Sequence, residues 1–142
     1  MFPDHGLFVT FEGIDGCGKG TQIIKLVEYI KEQDDIFSKY LDILITREPT
    51  WRAKKIIARL MGDSNVYAGA YEMLDGYTQD RKQHTISQII PALNQSKIVI
   101  GDRYRLSTDA FQTAQGCTER DVLKAQEEDV IPADLTIVLD ID

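Results

Sequence analysis

Residues 7–21 read Leu-Phe-Val-Thr-Phe-Glu-Gly-Ile-Asp-Gly-Cys-Gly-Lys-Gly-Thr, an apolar run followed by a glycine-rich segment. The apolar run is typical of a buried strand, and Gly13, Gly16 and Gly18 have no β-carbon to block a tight turn. Successive backbone N–H groups can then point inward, and a helix that begins near Lys19 adds the partial positive charge of its amino end. The segment therefore predicts a phosphate-binding loop between a strand and a helix.

The spacing Gly13-x-x-x-x-Gly18-Lys19 is typical of ATP-binding loops, but Gly20 stands where a hydroxyl residue normally follows the lysine. That hydroxyl usually holds Mg²⁺. Thr21 could reach the metal directly or through water, or carboxylates elsewhere could hold it, since Mg²⁺ retains several waters. The predicted phosphate-binding residues are Gly13, Ile14, Asp15, Gly16, Cys17, Gly18, Lys19, Gly20 and Thr21.

The composition favours one compact domain. The chain has 142 residues, of which 43% are hydrophobic, and a formal net charge of −7. Lysine and arginine do not cluster, which disfavours nucleic-acid binding, and no apolar run approaches the roughly 18 residues of a membrane span. Cys17 and Cys117 are too few for a disulfide framework, so a reducing cytoplasm is expected. We interpret Cys17 as a small side chain that the loop tolerates rather than a reactive thiol.

Short strand-like runs alternate with helical patterns along the chain. Repeated strand-helix units require parallel pairing and helices on both faces of the sheet, so the sequence predicts an α/β fold. The predicted strands are Leu7–Glu12, Asp42–Thr46, Lys97–Gly101 and Leu135–Asp140.

The segment from residue 67 to 95 is predicted to form two helices or one bent helix. Pro91 makes an unbroken regular helix through that point costly. Farther on, Thr118 and Asp121 have the spacing of a capping box at the start of another helix.

Charged residues follow the second and third predicted strands, at the edge where parallel sheets bind ligands. Asp102 could hold a magnesium-bound water, and Arg103 could form paired hydrogen bonds with a phosphate. The alternative is an ion pair between Asp102 and Arg103, or a solvated strand end. Arg47 is a second candidate phosphate contact, or a surface arginine before a proline turn.

Tyr77 and Arg81 lie one helical turn apart, so a ring and a guanidinium could grip a planar base together. Simple packing beside a solvated arginine is the alternative. His84 is typical of a surface histidine and is assigned no role.

The chain resembles the thymidylate kinase family in several motifs that occur in order over nearly its whole length. The Gly-Lys-Gly-Thr run itself is more similar to that of adenylate kinases. The resemblance implies a parallel sheet of P-loop kinase type and a single nucleoside monophosphate kinase domain over residues 1–142. The matching segments are Phe11–Gln22, Thr46–Pro49, Tyr77 with Asp80-Arg81, Gly101–Tyr104 with Ser107-Thr108 and Ala110–Gln112, and Asp134–Asp140.

The resemblance implies that ATP phosphorylates thymidine monophosphate with Mg²⁺. In the acceptor site, Tyr77 would stack on thymine and Arg81 would hydrogen-bond its edge, with Thr108 beside the base. Asp15 would contact the sugar 3′-hydroxyl, and Phe111 would crowd the place of a ribose 2′-hydroxyl.

The resemblance also implies that a few cationic side chains contact the phosphates. Arg103, and with it Arg47, would hold the acceptor phosphate, and Lys19 and Arg103 are the expected catalytic residues. Thr21 and Asp102 are the candidate metal ligands.

In the family an arginine-bearing lid, a last strand and an adenine-binding loop would follow. We therefore expect the chain to be incomplete at its carboxyl terminus, with the sheet truncated after the fourth strand. A kinase for another nucleoside monophosphate, or an inert nucleotide-binding module, is the alternative. The family also implies a homodimer. One helix face could either form the dimer surface or pack in the core, and we favour the core. This face comprises Tyr67, Tyr71, Met73 and Leu74.

Overall fold

The computed structural model describes residues 5–40, 42–62, 69–127 and 131–141. Four strands form one fully parallel sheet: β1 (Leu7–Glu12), β2 (Ile43–Arg47), β3 (Ile98–Asp102) and β4 (Leu135–Val138). Their order across the sheet is β2-β3-β1-β4. The predicted α/β fold with a parallel sheet is confirmed.

Three of the four predicted strands had boundaries that were wrong by one or two residues. β2 and β3 each begin and end one residue later than predicted. Pairing continues to their later ends, because the Asp102 carbonyl still accepts the Glu48 N–H at 3.1 Å. β4 ends at Val138 because its neighbour β1 ends at Glu12, whose carbonyl accepts the Leu139 N–H at 2.8 Å. Beyond that bond β1 has no further residue to pair.

Helices fill the intervals between the strands, as the periodicity predicts. Their bounds are α1 (Lys19–Glu32), α2 (Asp34–Phe37), α3 (Lys54–Gly62), α4 (Ala70–His84), α5 (Ile90–Asn94), α6 (Arg105–Ala114) and α7 (Glu119–Glu127).

The side chains of the central strands alternate between two buried layers, as strand geometry requires. Val9 on β1 faces a cluster that includes Ile23 and Ile30 of α1. Its neighbour Phe8 faces the opposite cluster with Leu93 of α5. Helices therefore cover both faces of the sheet.

The predicted interruption near Pro91 is a π-helical turn. Residues 85–89 form this turn, and the Ile90 N–H bonds the Thr85 carbonyl five residues earlier. The wider turn reduces the conflict between the proline ring and the preceding carbonyls. α4 and α5 are thus parts of one continuous helical segment, the second of the two predicted alternatives. Tyr67, where that prediction begins, lies outside the described residues.

The capping pattern at α7 forms in part. The Asp121 N–H donates to the Thr118 hydroxyl at 3.2 Å, while the Asp121 carboxylate accepts the Tyr71 hydroxyl at 2.9 Å. Hydrogen bonds to Thr118 and Tyr71 lower the pKa of Asp121 below its usual value. Met73 and Leu74, on the helix face that could have supplied a dimer surface, are buried within the chain.

No helix in the described segments combines the length and apolarity needed to cross a bilayer.

Candidate active site

The loop between β1 and α1 has the backbone that the glycine spacing predicts. Gly16 and Gly18 adopt left-handed conformations, with φ of 77° and 93°. Gly13 has φ of 148°, and a β-carbon there would lie 2.7 Å from Cys17 Sγ and 2.8 Å from the Leu139 carbonyl oxygen. Only glycine satisfies this position without displacing the chain after β4.

The amino end of α1 has no side-chain cap at Gly18, so the N–H groups of its first turn are not capped by that residue. Such groups together with the helix dipole favour an anion. Lys19 lies in this first turn, and its ammonium donates to the carbonyls of Gly13 and Ile14, both at 2.9 Å. Its Nζ is also 3.7 Å from Cys17 Sγ. The lysine is therefore folded over its own loop.

A cavity of about 560 Å³ borders the start of α1 and the ends of β2 and β3. Gly20, Arg47 and Asp102 contribute to its wall. The Oδ1 atom of Asp102 is buried and has no hydrogen-bond partner in the described part of the chain. Thr21 is exposed on α1 nearby in sequence.

This donor set suits Mg²⁺, which prefers oxygen ligands and commonly combines one or two carboxylates with water and substrate phosphates. The described residues contain no cluster of three or more acidic, histidine or cysteine side chains of the kind that would hold a metal alone. A metal bound here would thus depend on Asp102 and on phosphate oxygens.

Arg103 does not pair with Asp102, so that alternative interpretation was wrong. Its guanidinium donates to Asp15 Oδ1 at 2.6 Å and to the Ser107 hydroxyl at 3.1 Å, and lies 5.2 Å from the Phe111 ring centre. The backbone of Arg103 has φ of 68°, an uncommon conformation for a non-glycine residue. The Asp15 side chain is 98% exposed, so its pairing with Arg103 is weak and easily exchanged.

The structure gathers the predicted acceptor residues around one cavity of about 250 Å³. It lies between the carboxyl ends of β2 and β3, α4 and α6. All of the predicted acceptor residues line it: Asp15, Arg47, Tyr77, Arg81, Arg103, Thr108 and Phe111.

Arg81 borders this cavity and is buried, with 1% of its surface exposed, so it is not the solvated arginine of the alternative interpretation. Its Nε donates to Glu48 Oε2 at 2.7 Å. One terminal nitrogen donates to Gln126 of α7 at 2.5 Å. The other donates to the Tyr104 carbonyl and the Thr108 hydroxyl, both at 2.9 Å. The guanidinium is therefore fixed before any nucleotide arrives.

Burial also sets the protonation state of the tyrosine side chains. Desolvation raises the pKa of Tyr77, against the opposing charge of Arg103, so the phenol on the cavity wall is neutral at physiological pH. Burial raises the pKa of Tyr104 to about 12, and its hydroxyl donates to the Ile131 carbonyl at 2.9 Å. The cavity thus presents an uncharged ring beside fixed cations.

Sequence reasoning missed a role for Glu12, the last residue of β1. Its carboxylate is 2% exposed and accepts the Tyr104 N–H at 2.8 Å and the Ser107 hydroxyl at 2.5 Å. It thereby holds the start of α6 beside Arg103. An acid that ends an otherwise apolar strand was the available signal.

The interpretation of His84 as a surface residue was wrong, since it is 1% exposed. Its Nδ1 lies 2.9 Å from Glu48 Oε1, and Glu48 is 3% exposed. Both were missed because their burial depends on how α4 packs against the end of β2. The Asp80-Arg81-x-x-His84 spacing on one helix was the only signal present.

Comparison with known proteins agrees with this geometry. A family model described as thymidylate kinase matches residues 11–142. A thymidylate kinase from Halothermothrix orenii is 40% identical over 97% of this chain, and a probable thymidylate kinase from Pyrococcus abyssi is 35% identical over 96%. Each alignment covers 66% of the relative, so the chain spans about two thirds of the length of these proteins.

A solved thymidylate kinase from Ehrlichia chaffeensis superposes with a TM-score of 0.80 at 32% identity, covering 96% of this chain and 73% of that one. With its glycine-rich loop and parallel sheet, the chain belongs to the thymidylate kinase family.

Proposed function

We propose that the protein transfers the γ-phosphoryl group of ATP to thymidine monophosphate, with Mg²⁺, to give the diphosphate and ADP. The single observation that carries this proposal is the convergence of Tyr77, Arg81, Thr108, Phe111 and Arg103 on one cavity at the carboxyl edge of the sheet. The relatives that match the chain carry the name thymidylate kinase.

The acceptor cavity suits a pyrimidine deoxynucleotide. The neutral Tyr77 ring offers a surface for stacking, and Arg81 and Thr108 offer polar groups for the edge of the base. Phe111, which is 45% exposed on α6, supplies bulk beside the sugar, and the exposed carboxylate of Asp15 can accept a sugar hydroxyl.

Cations line the route from this cavity to the loop. Arg103 would exchange its weak pairing with Asp15 for the acceptor phosphate, with which it can form paired hydrogen bonds. Arg47 borders both cavities and would contact the same phosphate from the other side.

The ATP phosphates would occupy the loop at residues 13–19, where Lys19 exchanges its two carbonyl contacts for phosphate oxygens. Asp102, through its unpartnered oxygen, and Thr21 would hold Mg²⁺, which supplies neutralisation of phosphate charge.

No strong general base is required for this reaction. The attacking oxygen belongs to a phosphate whose second pKa is about 6, so it is already ionised at neutral pH. The residues must align the two phosphates and stabilise the charge of the transferred group, and Lys19 and Arg103 are placed to do so.

A panel of nucleoside monophosphates tests the proposal. Calorimetric titration and ADP release are measured with thymidine, deoxyuridine, uridine, adenosine and guanosine monophosphates. We expect thymidine monophosphate to bind most tightly and to support the fastest ADP release. Tighter binding and faster release with any other member of the panel would refute the assignment of the acceptor.

A further inference from the structure

Three polar residues of α4 hold the segment that follows β2. The Asp80 carboxylate accepts the Thr50 N–H at 2.7 Å and the Thr50 hydroxyl at 2.5 Å. Four residues farther along, His84 contacts one oxygen of Glu48, and Arg81 contacts the other. All five side chains belong to residues that are at most 7% exposed.

His84 uses both nitrogens of its ring. The Glu48 carboxylate can only accept hydrogen bonds when ionised, so Nδ1 carries a hydrogen and donates to it. Nε2 lies 2.5 Å from the Thr46 hydroxyl and, in the neutral ring, accepts from it. The imidazole thus bridges Thr46 and Glu48, the two neighbours of Arg47 in the chain.

The Glu48 carboxylate fixes the plane of the Arg81 guanidinium. A guanidinium is planar and presents its N–H groups in a rigid fork, so holding Nε fixes the direction of the terminal nitrogens. An unrestrained Glu48 could rotate and release Arg81. His84 prevents this by holding the Glu48 oxygen that Arg81 does not use.

We propose that His84 is a positioning residue of the acceptor site. Its imidazole sets the Glu48 carboxylate, which orients Arg81 in the cavity, and it fixes the end of β2 from which Arg47 projects. His84 is not part of either cavity wall, so it acts through Glu48 and Thr46. The inference rests on the proposed function, because it concerns the site assigned to the acceptor nucleotide.

Two substitutions separate the two hydrogen bonds of the ring. In His84→Asn the amide nitrogen takes the place of Nδ1 and keeps the bond to Glu48. In His84→Gln the longer side chain places its amide at the position of Nε2 and keeps the bond to Thr46, but Glu48 Oε1 loses the donor that His84 supplied. The exposed neighbour Gln83 provides the matched control, Gln83→Ala.

Binding of thymidine monophosphate and of ATP is measured by calorimetry for each protein, well below its measured unfolding temperature. We expect His84→Gln to weaken thymidine monophosphate binding by about tenfold, the usual worth of a hydrogen bond to a charged group. His84→Asn should restore most of that affinity. ATP affinity should be unchanged in both variants, and Gln83→Ala should match the wild type.

Equal losses in the two His84 variants, or losses that affect ATP and the monophosphate alike, would overturn the inference, because a merely structural histidine would act in that way. If the wild type prefers another monophosphate, the proposed function fails while the same pair of variants, titrated with that nucleotide, still decides the role of His84. A wild type that binds no monophosphate refutes both.

Discussion

The cavity that we propose for the acceptor nucleotide and the glycine-rich loop at residues 13–19 are built in opposite ways. Around the cavity, the buried Arg81 donates hydrogen bonds to the buried side chains of Glu48 and Thr108. In the loop, the shape comes from glycine backbone, Ile14 is 59% exposed, and Lys19 contacts only carbonyls and a thiol among the described residues. One half of the site is fixed by side chains and the other by the main chain.

This difference indicates where each half is vulnerable. Removal of a buried charge on the acceptor side leaves its partner desolvated and unpaired, which costs stability. Loss of the loop lysine leaves no opposite charge unpaired among the described residues, because Lys19 donates to carbonyls, but the loop cannot accommodate a β-carbon at Gly13. Substitutions on the two sides should therefore affect different measurements.

Glu48→Gln should have the largest effect. It removes the only charge that compensates Arg81 within hydrogen-bond distance among the described residues. We expect the free energy of unfolding to fall by about 3 kcal/mol, as for other broken buried pairs. Urea denaturation measures this, with Glu28→Gln on the exposed side of α1 as the control. Equal midpoints for the two variants would show that the network contributes nothing to stability.

Lys19→Ala should affect catalysis rather than folding. We expect turnover to fall about hundredfold, as when one donor to transition-state charge is removed. Binding of thymidine monophosphate should persist, because Lys19 is not part of the acceptor cavity. Steady-state kinetics and calorimetry measure the two effects, and the exposed Lys25→Ala is the control. Full turnover by Lys19→Ala would remove the loop from the mechanism.

Two glycines of the loop region differ in the space around their α-carbons. At Gly13 a β-carbon would meet two atoms at less than 3.0 Å, whereas at Gly20, inside α1, it would meet nothing within 4 Å. Gly13→Ala should therefore destabilise the protein by about 2 kcal/mol, while Gly20→Ala should stabilise it by about 0.5–1 kcal/mol. Thermal unfolding measures both, and changes of the same sign would contradict the strain argument.

Asp121, in the first turn of the helix that carries Gln126, should give the smallest effect. Its pKa is lowered in the folded protein, so its contribution is present above the unfolded pKa of about 3.9 and is lost as the pH falls through the folded value. Asp121→Asn should therefore be less stable than the wild type near neutral pH. The difference in their free energies of unfolding should narrow below about pH 4. Denaturation midpoints across this range provide the check, and a gap that widens on acidification would be the wrong sign.

The sequence predicted what is encoded locally. β1, the turn through Gly13, Gly16 and Gly18, and the helix from Lys19 are contiguous, and their glycine spacing and periodicity carry the necessary information. The position of Asp102 and Arg47 at the ends of their strands also followed from strand patterns.

The buried network could not be predicted in the same way. Glu48 and His84 are 36 positions apart, and Arg81 and Gln126 are 45 apart. Their burial depends on how three helices pack around the end of β2, which no local pattern records. The π-helical turn before Pro91 is likewise one of two solutions that the proline left open.

The most direct test of a preformed acceptor cavity is a crystal structure of the protein with thymidine monophosphate and without ATP. We expect the base against Tyr77, the phosphate within hydrogen-bond distance of Arg103, and an Arg81–Glu48 contact that remains at 2.7 Å. A monophosphate whose phosphate lies in the loop at residues 13–19, or an Arg81 that has left Glu48 to reach the base, would contradict it.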